Sequence, residues 1–503
     1  MLEVSASLIA PIGHSGTQLP QPMHAPWLMY RKGLVTGAFS WAEPADRPSA
    51  AALAAVPVMN WRRSMLTPGS PIRSMPSRGV PEKTDPGAAE ESRSPLRPRY
   101  HRPAIAHPRA EGEFMDIYID YGRRVDKVTQ ALEDRGIDLF LGTRGKSVNY
   151  IGGAFIPWRS VVVISKEGSV GLNTLLMDAE RIKVDSWLDN ITACAPLPGL
   201  ELWDITVQQI RELGFAGATI GVELGHSPRM IEGYLFATEY EYLKNELPDA
   251  SFVNALDVMD LVTLVKEPAE IQLMRQASAI ADAAQERVME SLEVGMTEME
   301  IAGIGELEMR RLGSEFHWPV TGSSEVASGY RSWYPLGGCT PPTDKILQRG
   351  ENLLVDMHPT YKQYYSDLSH NYILGKPSQA QQKLADAYLR TCETLIGAFK
   401  AGTTVGEIFR TVKAEVEATG YDAYTLPGFG HGLGVVGHEW FPAIIDNDEF
   451  RDVVLEENVV EVAAVVMNVP DVGGMRLEVP VRVTPQGGEM LASTPLELTV
   501  LDL

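Results

Sequence analysis

A chain of 503 residues exceeds what one hydrophobic core holds, so two domains and an extension are expected. A net charge of −22 argues against general nucleic-acid binding, and no run of about 18 apolar residues offers a membrane span. Three scattered cysteines, Cys194, Cys339 and Cys392, fit a reducing, cytoplasmic setting and give no thiolate metal pattern.

Residues 1–112 differ from the rest. They hold 16 of the 34 prolines and 13 Lys and Arg against 8 acidic residues, a composition expected to stay disordered. No charged flank and apolar core mark a secretory signal there. Met115 opens the first well-patterned segment. A translation start at Met115, with an over-extended reading frame before it, is weighed against a targeting or tethering arm.

Residues 113–262 alternate short strands with helices and predict a small α/β domain. Apolar spacing predicts helices over Arg123–Arg135, Thr206–Leu213 and Phe236–Leu247. Strands are predicted at Ile137–Gly142, Ser160–Ser165 and Thr219–Val222, and a turn at Asn149–Gly153. Pro268, flanked by Glu267 and Glu270, opens a long amphipathic helix that marks the boundary of a second domain, 263–503. Further helices are expected at Glu298–Leu312, capped by Thr297, and at Ser378–Phe399 and Val405–Ala418. Strands between and after these pairs make the second half α+β.

The stretch Glu351–Leu374 carries the first chemical signal. It predicts strands Leu353–Met357 and Tyr364–Ile373 joined at His358–Gln363, with the hairpin centred between Tyr361 and Lys362. That register sets Asp356 directly opposite Asp367. Facing carboxylates on core strands require a shared proton or a cation, and hard oxygen donors suit Mn, Co, Fe or Zn. A surface hairpin with two solvated aspartates is the plainer reading. Four features follow. His431 lies within Gly428-Phe429-Gly430-His431-Gly432-Leu433-Gly434, where flanking glycines leave the imidazole accessible. His438 and Trp440 lie within His438-Glu439-Trp440-Phe441-Pro442. Glu478 is read as starting a strand after Val472-Gly473-Gly474. The loop Val320–Glu325 precedes the hairpin.

The order Asp, Asp, His, His, Glu, in VDMHPTYKQYYSDLSHNYILG, GFGHGLGVVGHEWFP and VPDVGGMRLEVPVRVT, resembles the pita-bread catalytic domain of the methionine aminopeptidase, prolidase and aminopeptidase P superfamily. The smaller domain and the junction LVTLVKEPAEIQLMRQAS resemble its prolidase, aminopeptidase P and creatinase branch. The resemblance implies an α/β N-terminal domain followed by an α+β pita-bread domain. It makes Asp356 a terminal chelator, Asp367 and Glu478 bridging ligands and His431 the histidine ligand of one or two divalent metals per chain. It gives His438, with Glu478, a catalytic part, His438 stabilising charge on the carbonyl oxygen under attack by a metal-activated hydroxide. Arg331 and Trp440 are the candidate substrate contacts, the substrate a dipeptide or other small molecule, and the assembly a homodimer.

Two positions depart from the pattern. Ala464 stands where the superfamily has a metal-binding glutamate, and Glu461, three residues earlier, should point to the opposite face. The Thr321–Tyr334 loop offers Gly329, Tyr330 and Arg331 where a substrate-binding histidine is usual, and His317 lies too early to replace it. The leading expectation is a metal-dependent hydrolase of the Xaa-Pro dipeptidase or aminopeptidase type. The alternatives are a non-peptidase relative resembling creatinase, ectoine hydrolase or dimethylsulfoniopropionate lyase, and a binding module that has lost catalysis, as in histone chaperone subunits.

Overall fold

A computed structural model describes residues 117–195, 200–225, 233–315, 322, 324–334 and 339–502. The extension 1–112, Met115 and His317 lie outside them. The first half runs α1 (Tyr121–Asp134), β1 (Leu139–Gly142), α2 (Gly145–Gly152), β2 (Val161–Ser165), β3 (Val170–Leu175), α3 (Leu176–Asp185), β4 (Ile191–Cys194), α4 (Glu201–Glu212), β5 (Thr219–Val222), α5 (Ala237–Glu246), β6 (Ser251–Asn254) and α6 (Leu256–Leu264). Its six strands form one mixed sheet in the order β4-β3-β2-β1-β5-β6, antiparallel only at β3-β2-β1. Strand alternation divides the side chains cleanly. Leu139, Leu141, Val161, Val163, Ile220 and Val222 pack under Trp203 and Val207 of α4. Phe140, Val162 and Ile164 point the other way, into a core shared with the second half.

The stretch Asn149–Gly153, expected as a turn, is the end of helix α2. Its Gly-Gly pair is the helix stop, with Gly153 in the left-handed region at φ 65° and its N–H donating to the Asn149 carbonyl at 2.9 Å.

The second half opens with α7 (Pro268–Ser291) and α8 (Glu298–Arg311). Then come β7 (Glu325–Ser328), β8 (Asn352–Met357), β9 (Thr360–Tyr361), β10 (Tyr364–Tyr365) and β11 (Leu368–Leu374). After α9 (Gln379–Ala398) and α10 (Val405–Thr419) follow β12 (Gly430–Gly432), β13 (Glu439–Ala443), β14 (Val460–Val469), β15 (Gly473–Thr484), β16 (Gly487–Met490) and β17 (Thr499–Leu501). Two sheets result, β17-β11-β8-β7 and β13-β12-β14-β15-β16, with the helix pairs packed against a core that contains Val355, Leu368, Leu384, Val412, Val465 and Leu477.

Each long helix of this half starts on a reciprocal cap. Glu267 and Glu270 cap α7 with Pro268 in its first turn, and Thr297 with Glu300, Ser378 with Gln381 and Thr404 with Glu407 cap the rest. Thr404 Oγ1 accepts the Glu407 N–H at 3.2 Å, and Glu407 Oε2 accepts the Thr404 N–H at 2.8 Å. Thr404→Ala is therefore expected to cost about 1 kcal/mol in urea unfolding, with activity unchanged.

The two halves share more than a linker. Val128, Leu132 and Phe140 pack with Leu273 and Met274 of α7, with Tyr364 and Tyr365 of the hairpin, and with Leu433 and Val462 near the candidate site. A buried ionic web reinforces this contact. Arg144 Nε lies 2.8 Å from Glu223 and its Nη1 2.9 Å from Asp260. Lys146 Nζ lies 3.1 Å from Asp260 and 3.3 Å from Glu439 on β13, the residue after His438. Among the described residues no helix is long and apolar enough to cross a membrane.

Candidate metal centre

The hairpin that carries both aspartates folds one residue out of the expected register. Tyr361 pairs with Tyr364 and Thr360 with Tyr365, so the turn is Lys362-Gln363, both at positive φ (45° and 70°). A two-residue turn with both residues at positive φ follows the twist of its strands. Glu315 anchors it by accepting the Gln363 N–H at 2.8 Å. Asp356 consequently pairs with Ser369, not Asp367. The shift is two residues along the partner strand, so both carboxylates stay on one face. The second predicted strand is broken at Ser366-Asp367, where the chain bends to leave β10 and enter β11.

The two aspartates are fully buried, and His358 lies between them with Nε2 3.3 Å from Oδ1 of each. Glu478 joins them from β15, with its N–H held by Ser369 Oγ at 2.7 Å. It sits in the middle of that strand, not at its start, because β14 and β15 form one long ladder closed by a tight connection. Ligand atoms of Asp356, His358, Asp367 and Glu478 all lie within 4.8 Å of one another. Asp367 also belongs to a second group with His431 and His438. Its Oδ2 is 3.6 Å from His431 Nε2.

His431 is 4% exposed, so its imidazole is shielded from bulk solvent. The glycines beside it serve close strand packing: a Cβ on Gly430 would lie 2.5 Å from the Val462 carbonyl oxygen. His431 Nδ1 lies 2.9 Å from the Gly432 carbonyl, which leaves Nε2 turned toward Asp367. The His438 ring stacks on His431 at 3.5 Å between centroids, and Trp440 packs on His438 at 4.8 Å.

Electrostatics mark the cluster as built for charge. Burial works to lower the His358 pKa, but Asp356 and Asp367 outweigh it and push the imidazole up to about 10. Burial acts to raise Asp356, and His358, Glu478 and Arg476 more than reverse it, holding that carboxyl well below its usual range. Burial, then the charges of Asp356 and Asp367, push Glu478 well above the ordinary carboxyl range. Burial alone is the chief cause of the low values of His431 and His438. Oδ1 of Asp356, both oxygens of Asp367 and Nε2 of His431 are buried without a hydrogen-bond partner. Oxygens so placed are costly unless a cation satisfies them, and the donor set of three carboxylates and imidazoles fits a divalent transition metal.

Two residues beside the proposed ligands complete the surroundings. Arg476, two residues before Glu478, points Nη1 at Glu325 (2.7 Å) and Asp356 (3.1 Å). Glu325 also accepts the Thr340 N–H at 2.8 Å. Arg331 is not brought to the cluster. Its Nε donates to buried Glu298 at 2.8 Å and its Nη2 to the Pro341 carbonyl at 2.6 Å, so the guanidinium named as a substrate contact is held by this buried acid. Ala464 pairs directly with Glu478 and presents only a methyl there. The β14–β15 ladder runs without a bulge, and Glu461 lies on the opposite face, fully buried, where burial raises its pKa and Lys266 works against that rise.

Comparison with known proteins agrees with this geometry. Residues 272–485 match metallopeptidase family M24, and residues 124–263 match the creatinase/prolidase N-terminal domain. The chain belongs to family M24, in its prolidase branch, and is a metal-dependent hydrolase of the Xaa-Pro peptidase type. It is 27% identical over 386 residues to an Xaa-Pro dipeptidase of Pyrococcus horikoshii, spanning 76% of this chain and 100% of that protein. An X-Pro aminopeptidase structure from Thermotoga maritima superimposes with a TM-score of 0.65 at 26% identity, covering 75% of this chain and 99% of that one. An Xaa-Pro dipeptidase structure from Bacillus anthracis gives 0.64 at 27% identity, covering 76% and 100%.

Proposed function

We propose that the protein hydrolyses Xaa-Pro dipeptides with one or two divalent ions, Mn, Co, Fe or Zn, held by Asp356, Asp367, His431 and Glu478, and that it works as a cytoplasmic homodimer. The observation that carries this reading is the pair of donor groups joined at Asp367, whose buried oxygens have no hydrogen-bond donor. The dipeptidase names of the matched relatives support the substrate class, and they do not favour the creatinase-like or non-catalytic alternatives.

A divalent ion in this site supplies Lewis-acid polarisation of the scissile carbonyl and activation of water. The chain's own residues do the rest. Asp356 and Asp367 approach from adjacent strands, so the hairpin fixes their spacing before any ligand arrives. Burial, then Asp356 and Asp367, raise the Glu478 carboxyl in the metal-free site, so a cation bound there displaces its proton. His438 lies beside the ligand His431 with a neutral ring, placed to donate to the oxygen on which charge develops. Trp440 gives that ring an apolar wall and can pack on the substrate.

Assay of Xaa-Pro dipeptides beside dipeptides lacking proline and small cyclic amidines, with added Mn or Co, tests the proposal. Preferential cleavage of Xaa-Pro is expected; turnover of the amidines alone would move the protein to the creatinase-like class. His438→Ala is expected to lower kcat by roughly 10²–10³-fold with metal content unchanged, as for loss of one oxyanion donor. Loss of bound metal in that variant would make His438 a ligand instead.

A further inference from the structure

His358 is the one member of the cluster that neither its motif nor its turn position singled out. It follows Met357 at the end of β8 and is 3% exposed. Carrying the β8–β11 register one step beyond Leu368–Met357 sets it across from Asp367. Its Nε2 is equidistant, at 3.3 Å, from Oδ1 of Asp356 and Oδ1 of Asp367.

That spacing is long for an ion-paired hydrogen bond, which closes to about 2.7–2.9 Å. It matches instead the separation of atoms bound to one ion. Ligands about 2.1 Å from a metal lie about 3.0 Å apart at octahedral angles and about 3.4 Å apart at tetrahedral ones. The ligand atoms of Asp356, His358, Asp367 and Glu478 all fall within 4.8 Å of one another. On the neighbouring strand Ala464 faces Glu478 and offers no donor. Asp367 Oδ2 is buried with no hydrogen-bond partner.

We propose that His358 binds a divalent ion directly through Nε2, completing with Asp356, Asp367 and Glu478 a site of one nitrogen and three carboxylates. The assignment rests on the metallohydrolase reading above and sharpens it. Imidazole favours Zn, Fe and Co, whereas an all-oxygen set favours Mn. His358 therefore biases this protein toward the nitrogen-preferring metals.

The test uses the full chain, stripped of metal and titrated with Zn²⁺, Co²⁺ or Mn²⁺ against a chromophoric chelator. His358→Gln is expected to weaken Zn²⁺ binding at least about tenfold and to change the visible absorption of the cobalt-loaded protein. His358→Asp swaps the nitrogen for oxygen. It is expected to keep the ion count while moving the Zn-to-Mn preference at least about tenfold toward Mn. This second variant decides the matter if circular dichroism shows that His358→Gln does not fold. Unchanged affinities and cobalt spectra in these variants, or tighter Zn²⁺ binding in His358→Gln, would overturn the assignment. Asp367→Ala separates the two levels: if it loses its metal while the His358 variants bind as wild type, only the role of His358 fails. If it too binds as wild type, the metallohydrolase site itself fails.

Discussion

Asp367→Ala is expected to leave the folded protein without bound metal and to lower kcat/KM on the order of 10³-fold. Asp367 alone belongs to both donor groups, facing His358 with Oδ1 and His431 with Oδ2. Its loss takes a shared anion from each side. Lewis-acid stabilisation of a transition state is worth several kcal/mol, and each 1.36 kcal/mol is about tenfold in rate, which sets the expected size. Elemental analysis after dialysis, with steady-state kinetics on an Xaa-Pro dipeptide, reads both effects. Metal retained at the wild-type level would place the ion elsewhere in the molecule.

Arg476→Met is expected to destabilise the metal-free protein by about 3–5 kcal/mol, the usual cost of removing one partner from a buried ion pair. The guanidinium is 3% exposed and lies between Glu325 and Asp356, at 2.7 and 3.1 Å. Without it Glu325 loses its guanidinium partner, and Asp356 keeps only the His358 imidazole. The backbone of Arg476 is not at issue: its N–H donates to Asn371 Oδ1 at 3.0 Å, and its carbonyl accepts from Asn371 Nδ2 at 2.8 Å and Ser369 Oγ at 2.9 Å. Urea unfolding with chelator present isolates the effect. Saturating metal should recover part of the loss, because the ion takes over neutralisation of Asp356. A change below about 1 kcal/mol would mean that Glu325 reaches water in the variant.

Most of the helices and the face of each functional strand could be read from the sequence. Caps such as Thr297 and Ser378 and the apolar spacing behind them are local, and the structure puts these helices within a residue or two of expectation. Asp356, Asp367, His431 and Glu478 converge because their motifs lie on paired strands. The register of the hairpin could not be read. Lys362-Gln363 contains no glycine or asparagine, so nothing in it advertises positive φ, and Glu315, which fixes the turn, lies 48 residues away. The sequence does carry a signal for His358: it is two residues from Asp356, and residues two apart on a strand share a face. The Arg331–Glu298 pair is not legible in the sequence, because a charged side chain in a loop gives no hint of a buried acid distant in the chain. The same blindness hid Arg144, Lys146 and Glu223, since burial of charge is decided by partners distant in the chain.

The contact between the two halves bears on how such a protein can be altered. Lys146 from the first half and Lys266 from the junction both approach Glu439 (3.3 and 3.6 Å), one residue from the imidazole assigned to catalysis. An amputated catalytic half would bare Tyr364, Tyr365 and Leu433 to water and deprive Glu439 of one of its two ammonium neighbours. The small leading half thus buttresses the strand that bears Trp440, and exchanging it for another protein's equivalent would mean rebuilding that support.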